Sequence, residues 1–241
     1  MNARQFLAFS QLSPVFFYLS HCITLLQGFG VCYNSTMNAQ TTTILQTLRA
    51  CLLPLEQAID VHKQIYAPAT EFGWQTNARH AAVLVPLFER EGQLSLLFIR
   101  RASTLRTHSG QIAFPGGSVD ATDASVIATA LREAQEEIGL EPQRVEVLGM
   151  LPSVATAVSN FVVTPVVGFL PRGLGELRLQ ESEVAELIIV PLSALMDPAI
   201  MHTEDWIRND VTRTVHFYDY GSYRIWGATG YMLHELLAVL A

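Results

Sequence analysis

No run of lysine and arginine breaks the chain, and acids outnumber bases 22 to 15, for a formal charge of −7. A surface that neutralises a nucleic-acid backbone needs clustered cations, so no nucleic-acid partner is expected. Cysteine is sparse as well. Cys22, Cys32 and Cys51 form no Cys-x-x-Cys pair and no Cys/His metal pattern. Their odd number provides no disulfide framework, which fits a reducing, cytoplasmic setting. Internal repeats and a regular βαβ alternation are both missing.

Charge is nearly absent from residues 1–40, where Arg4 stands alone and Val15 to Tyr33 reads VFFYLSHCITLLQGFGVCY. The stretch is long enough to span a membrane, but Ser20, His21, Gln27 and its glycines dilute it, and no small-x-small cleavage site follows. Met37 then opens a more ordinary sequence. Three readings stay open for this apolar extension: sequence upstream of an internal start at Met37, an anchor or signal that attaches the protein to a membrane, and a packed extension.

Half of the residues are apolar, enough for a sizeable core. From Thr43 to His62, apolar residues recur at helical spacing, with Pro54 as a break. Residues 41–76 are therefore expected to be a helical region and linker, and 77–241 the main domain. There, Ala81–Phe88 and Leu94–Arg101 are β-rich runs joined by a hairpin-like Glu89-Arg90-Glu91-Gly92-Gln93. Val145–Leu151, Phe161–Phe169, Glu186–Val190, Val215–Tyr220 and Tyr223–Trp226 also have strand character, and Gly230–Leu240 has one apolar helical face. A mixed β-sheet between helices, an α/β sandwich, follows.

Between Asp123 and Gly139, Ile127, Leu131, Ala134 and Ile138 make a stripe at helical spacing. Thr122 or Asp123 is available to cap the start, Gly139 to end the helix in a left-handed conformation, and Pro142 to prevent its continuation. Glu133, Glu136 and Glu137 fall within about 100° of arc, on a face away from that stripe. Carboxylates this close repel unless a cation lies among them, and hard oxygen ligands favour Mg²⁺ or Mn²⁺. Most such clusters are solvated acidic faces. Here the cluster follows Phe114-Pro115-Gly116-Gly117, whose glycines let the backbone turn tightly and approach a ligand.

These residues resemble the Nudix box, G-x5-E-x7-R-E-U-x-E-E-x-G-U, where U is aliphatic. Gly117 is followed by five residues, Asp123, eight residues, and then Arg132-Glu133-Ala134-Gln135-Glu136-Glu137-Ile138-Gly139-Leu140. The second half matches. The first has Asp for Glu and one extra residue before the arginine. The resemblance implies a Nudix sandwich with a catalytic loop and helix, a diphosphate-cleaving hydrolase, metal held by Glu133, Glu136 and Glu137, and an Arg132 that orients a carboxylate. A general base is sought among Glu136, Glu137 and a downstream acid, Glu181 or Glu183, with Glu183 preferred.

Upstream, Leu96-Leu97-Phe98-Ile99-Arg100-Arg101-Ala102 is followed at fixed spacing by Arg106, Gly110 and Phe114-Pro115-Gly116-Gly117. This looks like the coenzyme A diphosphatase signature, L-L-T-x-R-S-A-x3-R-x3-G-x3-F-P-G-G, with Phe98 for Thr and Arg101 for Ser. Bacterial members of that branch share the extra residue in the box. The resemblance implies cleavage of coenzyme A or a derivative to adenosine 3′,5′-bisphosphate and 4′-phosphopantetheine or its acylated form. Arg100, Arg101 and Arg106 offer planar donors for phosphate. Arg100, Arg106, Gly116 and Gly117 are taken as substrate-binding. His108 is expected to be a loop hydrogen-bonder. The alternative substrate is ADP-ribose or another nucleoside diphosphate derivative.

Overall fold

The computed structural model describes residues 38–56, 78–104, 108–156, 160–208 and 211–241. Most of the apolar extension, the linker after residue 56 and Arg106 lie outside them. Among the described residues, no helix is long and apolar enough to cross a membrane.

The first helix, α1, covers Ala39–Cys51, with the Asn38 side chain accepting from the Thr41 N–H at 2.8 Å. It starts before the expected Thr43 and stops ahead of Pro54, burying Leu45 and Leu48. Strands β1 (Arg79–Arg90) and β2 (Gln93–Arg101) form the anticipated hairpin. Its turn places Glu91 and Gly92 at φ 54° and 75°, the left-handed pair that matches strand twist.

The sheet forms around β1. Near its start β1 pairs antiparallel with β4 (Gly116–Ser118), and near its end with β2. Its other edge runs parallel to β7 (Phe161–Leu170). Strands β3 (Ile112–Ala113) and β8 (Val184–Pro191) flank β2, whereas β5 (Glu146–Met150) and β6 (Val154–Ala155) flank β7. The result is an eight-stranded mixed sheet.

One apolar cluster unites Leu96 and Phe98 of β2 with α1, the short α3 (Leu192–Leu195) and the C-terminal helix α4 (Gly227–Leu240). The second unites Leu97 and Ile99 with Val126, Ala130, Ala134 and Ile138 of helix α2 (Val126–Ile138). Alternation along β2 therefore sends even-numbered side chains to one helical layer and odd-numbered ones to the other. This is the expected α/β sandwich.

A second sheet has the order β11 (Tyr223–Ile225), β10 (Val211–Tyr220), β9 (Met201–Arg208). Strand β9 has no signature in the sequence pattern. Residues 201–207 are all exposed, so burial imposes no alternation, and the backbone ladder with β10 holds the strand.

Candidate active site

Helix α2 starts later than the sequence suggests. Ser125 caps it, accepting from the Ala128 N–H at 3.2 Å, and neither Thr122 nor Asp123 does so. The Asp123 carboxylate is already committed, accepting from the Asp120 N–H, the Thr129 hydroxyl and Arg132. Gly139 ends the helix at φ 70°, its N–H directed back to the Ala134 and Gln135 carbonyls.

Arg132 organises the acids around it. Its Nε and Nη2 donate to the two oxygens of Asp123 at 3.0 Å. Nη2 also donates to the Ser118 carbonyl at 3.1 Å, and Nη1 to Glu133 and Glu136 at 3.0 Å each. All five N–H donors of the guanidinium are used. In return, Arg132 holds Asp123 down to about 2 despite its burial.

The three glutamates do not share one solvated face. Glu136 is exposed, Glu133 is partly buried, and only 2 % of the Glu137 surface reaches solvent. An arc of about 100° is wide enough for one edge to pass beneath the sheet. There, Glu137 Oε2 accepts from the Gly116 N–H at 2.9 Å, and Oε1 lies 3.7 Å from Arg101 Nη1. Burial pushes Glu137 up to about 7, opposed by Gly116 and Arg101 and reinforced by the charges of Glu133 and Glu183. Burial also raises Glu133, with Arg132 opposing and Glu136 and Glu183 reinforcing.

Neither loop glycine leaves room for a side chain. A Cβ on Gly117 would meet the Glu133 carboxyl group, its Cδ at 2.5 Å. A Cβ on Gly116 would strike the β1 backbone, meeting the Ala82 carbonyl oxygen and lying 2.5 Å from Val83 Cα.

Glu183 arrives on a strap. Arg178 and Gln180 donate backbone N–H groups to the Ile138 and Glu137 carbonyls at the end of α2, and the Glu183 carbonyl accepts from the Ala102 N–H at 2.8 Å. The strap thus ties the end of the glutamate helix to the end of β2 and brings the Glu183 charge within reach of Glu133 and Glu137.

The two adjacent arginines diverge. Arg100 faces away from α2. It contacts Glu186 at 2.6 Å and lies 5.4 Å from the Tyr223 ring centroid, while the Tyr223 hydroxyl donates to Glu186 at 2.6 Å. Arg101 faces the helix, just past a bulge against β8. The sequence offers Arg100, Arg101 and Arg106 alike as planar donors, and the strand period sends Arg100 and Arg101 to opposite faces. Which face carries the carboxylates becomes evident only from packing. His108 pairs with Gln111 at 2.8 Å, as a loop hydrogen-bonder does.

The donor set is all carboxylate oxygen, and its mutual repulsion suits a hard divalent cation. Among the described residues, however, no three His, Cys, Asp or Glu side chains are gathered into a ligand group. Glu133 and Glu136 are turned to Arg132, and the Glu136 side chain, 60 % exposed, has room to move away.

The NUDIX domain family model matches residues 78–210. A Photorhabdus laumondii protein named "Uncharacterized Nudix hydrolase NudL" is 43% identical over 173 residues, covering 72% of this chain and 91% of that protein. A Salmonella paratyphi B protein of the same name is 48% identical over 160 residues, covering 66% and 82%. Among solved structures, a Caenorhabditis elegans Ap4A hydrolase complex aligns with a TM-score of 0.44 at 17% identity, covering 67% of this chain and 97% of that one. The NUDIX domain of Shewanella oneidensis NrtR with ADP ribose gives 0.41 at 19% identity, covering 56% and 85%. At such scores neither bears on the substrate.

Proposed function

This chain belongs to the Nudix hydrolases, enzymes that cleave phosphorus anhydrides in nucleoside diphosphate derivatives, and from that premise we propose that it hydrolyses the diphosphate of coenzyme A or its derivatives. The products are adenosine 3′,5′-bisphosphate and 4′-phosphopantetheine or its acylated form. One observation carries this reading. The segment with coenzyme A diphosphatase spacing is built into the carboxylate site, because Arg101 near its start and Gly116 near its end both meet Glu137.

In this reading Glu133, Glu136 and Glu137 would hold Mg²⁺ or Mn²⁺, and Nudix hydrolases generally use divalent ions. The bound cation would offset charge on the diphosphate and lower the pKa of an attacking water. The protein residues do the rest. Arg132 fixes Asp123 and Glu133, the Gly116 N–H holds Glu137, and the strap presents Glu183 as an acid open to solvent. Glu183, Glu136 or Glu137 would accept the proton of the water that attacks phosphorus in line with its leaving group.

Initial rates on coenzyme A, acetyl coenzyme A and ADP-ribose, with products identified by mass spectrometry in Mg²⁺ and in Mn²⁺, test the substrate. Release of 4′-phosphopantetheine as the fastest reaction is expected. Faster cleavage of ADP-ribose would overturn the coenzyme A reading and leave the hydrolase intact.

A further inference from the structure

The smaller sheet ends on a strand that is paired along one side alone. Strand β9 lies at the edge of the order β11-β10-β9, so among the described residues only β10 bonds to it. The connections fix which backbone groups are left over. Arg208 and Val211 face each other across two residues, as Tyr220 and Tyr223 do across Gly221 and Ser222. A pair that closes a two-residue connection exchanges hydrogen bonds, and bonded and non-bonded pairs then alternate along the ladder. Even-numbered residues of β10 therefore bond to β11 and odd-numbered ones to β9, and the two connections agree. On β9, the backbone groups of His202, Glu204 and Trp206 point to β10, while those of Thr203, Asp205 and Ile207 point outward. The usual protections of a free edge are missing. Strand β9 is eight residues long, holds neither proline nor lysine, and follows β10 without a bulge.

Apolar surface collects in the same place. Of the five large apolar side chains that stand exposed among the described residues, Met196, Met201, Trp206 and Ile207 lie on β9 or just before it. Trp206 is held in position. Its Nε1 donates to Glu204 at 2.8 Å, and its ring packs against Trp226 and Phe217, with centroids 5.7 and 6.2 Å away. An exposed ring fixed in this way loses little freedom when a partner covers it.

We propose that β9 pairs antiparallel with β9 of a second copy of this chain, about a two-fold axis beside Trp206. Charge and chain length select this register. An axis at Glu204 or Asp205 sets that acid against itself. An axis at Thr203 cuts the overlap short, because the tight turn Pro198–Ile200 precedes β9, and an axis at Ile207 runs off the other end of the strand. With the axis at Trp206, the two indoles meet at a non-hydrogen-bonded pair, where side chains approach closest. Asp205 of each copy then lies opposite Ile207 of its partner, and their outward N–H and C=O groups bond. The two three-stranded sheets become one continuous sheet. Such an isologous contact closes on itself and does not grow into a fibre. The exposed Glu204 and Asp205 oppose the other apolar cover available to such a strand, an anionic bilayer.

Sedimentation equilibrium of the full chain, from about 1 to 100 µM, compares wild type with Ile207→Asp and Ile207→Lys. Ile207 is 76 % exposed, so neither change touches the core. Wild type should approach twice the 26.7 kDa of one chain as its concentration rises. Ile207→Asp sets an acid opposite Asp205 twice per dimer and should raise the dissociation constant about 10- to 100-fold. Ile207→Lys sets an opposite charge there and should stay within about 3-fold of wild type. Hydrogen exchange should find the Asp205 and Ile207 N–H groups protected in concentrated wild type, and the Asp205 N–H released in Ile207→Asp. A wild type that is monomeric throughout would overturn the pairing. Equal weakening by aspartate and lysine would also overturn it, in favour of a contact without register. So would a dimer that aspartate leaves unchanged while both N–H groups exchange freely. A monomer that instead floats with vesicles of phosphatidylcholine and phosphatidylglycerol would assign the edge to lipid and end the proposal.

Discussion

Glu137 carries a charge that its surroundings oppose, with burial raising it to about 7 and only one hydrogen bond and a distant guanidinium to support the ionised form. Replacing it by glutamine keeps an acceptor for the Gly116 N–H and removes the charge. Glu137→Gln should therefore lower kcat by about 10²–10⁴-fold, the usual scale for a lost acid–base group or ligand. Its melting temperature in chelator at alkaline pH should equal or exceed that of wild type. Rates and melting curves on one preparation check both. The loop glycines make a second contrast. In Gly117→Ala the new methyl meets a side chain that can swing away, so the fold survives while Glu133 is displaced. A shift of this size near the reacting groups is expected to lower kcat about 10²-fold. In Gly116→Ala the methyl meets the β1 backbone, which cannot yield locally, so unfolding at lower denaturant is expected first.

At the scale of elements, α2 owes its place to the stripe it lays on the sheet. Ala130, Ala134 and Ile138 are fully buried against Leu84, Leu97 and Ile99. Ile138→Ala should destabilise the protein by about 2–5 kcal/mol, measurable by urea unfolding. Ala134 and Ile138 of that stripe are legible in the sequence, as are the stop at Gly139 and the β1–β2 hairpin, because each rests on local chemistry that the chain repeats or punctuates; Ile127 and Leu131, expected beside them, are only partly buried, and Val126 and Ala130 fill the centre instead. The cap is not legible there. Asp123 is as good an N-cap residue as Ser125, and its engagement by Arg132, nine positions along, together with Thr129 and the Asp120 N–H, removes it from the competition. The split between Arg100 and Arg101 and the burial of Glu137 escaped for the same reason. Periodicity says which residues share a face, while the third dimension says what that face meets. Strand β9 gave no pattern because neither of its faces is buried.

Across the whole molecule, the C-terminal helix α4 closes one layer, and its contact with β10 includes two stacked imidazoles. The rings of His216 and His234 lie 3.9 Å apart at 14°. Burial, aided by the charge His234 would carry, lowers His216 to about 4, and burial lowers His234 as well. A histidine held neutral by folding binds its proton more readily when unfolded. The histidine contribution to stability should therefore fall as pH drops from about 6.5 and level off once His216 itself titrates near 4, while Glu137, raised to about 7, contributes in the opposite direction over the same range as it takes up its proton. Asp123, lowered to about 2, adds its own loss only below that window. The urea midpoint of wild type should fall relative to that of a His216→Phe variant as pH drops across this range, the difference isolating the histidine from the carboxylates.

The parallel pairing of β1 with β7 also makes the site depend on strands far apart in the chain. The catalytic loop and helix lie in the chain between these two strands, and the helix packs on a surface that includes Val166 and Leu170 of β7. A nascent chain that has emerged only as far as α2 has the glutamates but not the floor beneath them. Loop closure across so long a separation is slow relative to helix formation. The buried geometry of the glutamate helix is therefore complete only where the two distant strands have met.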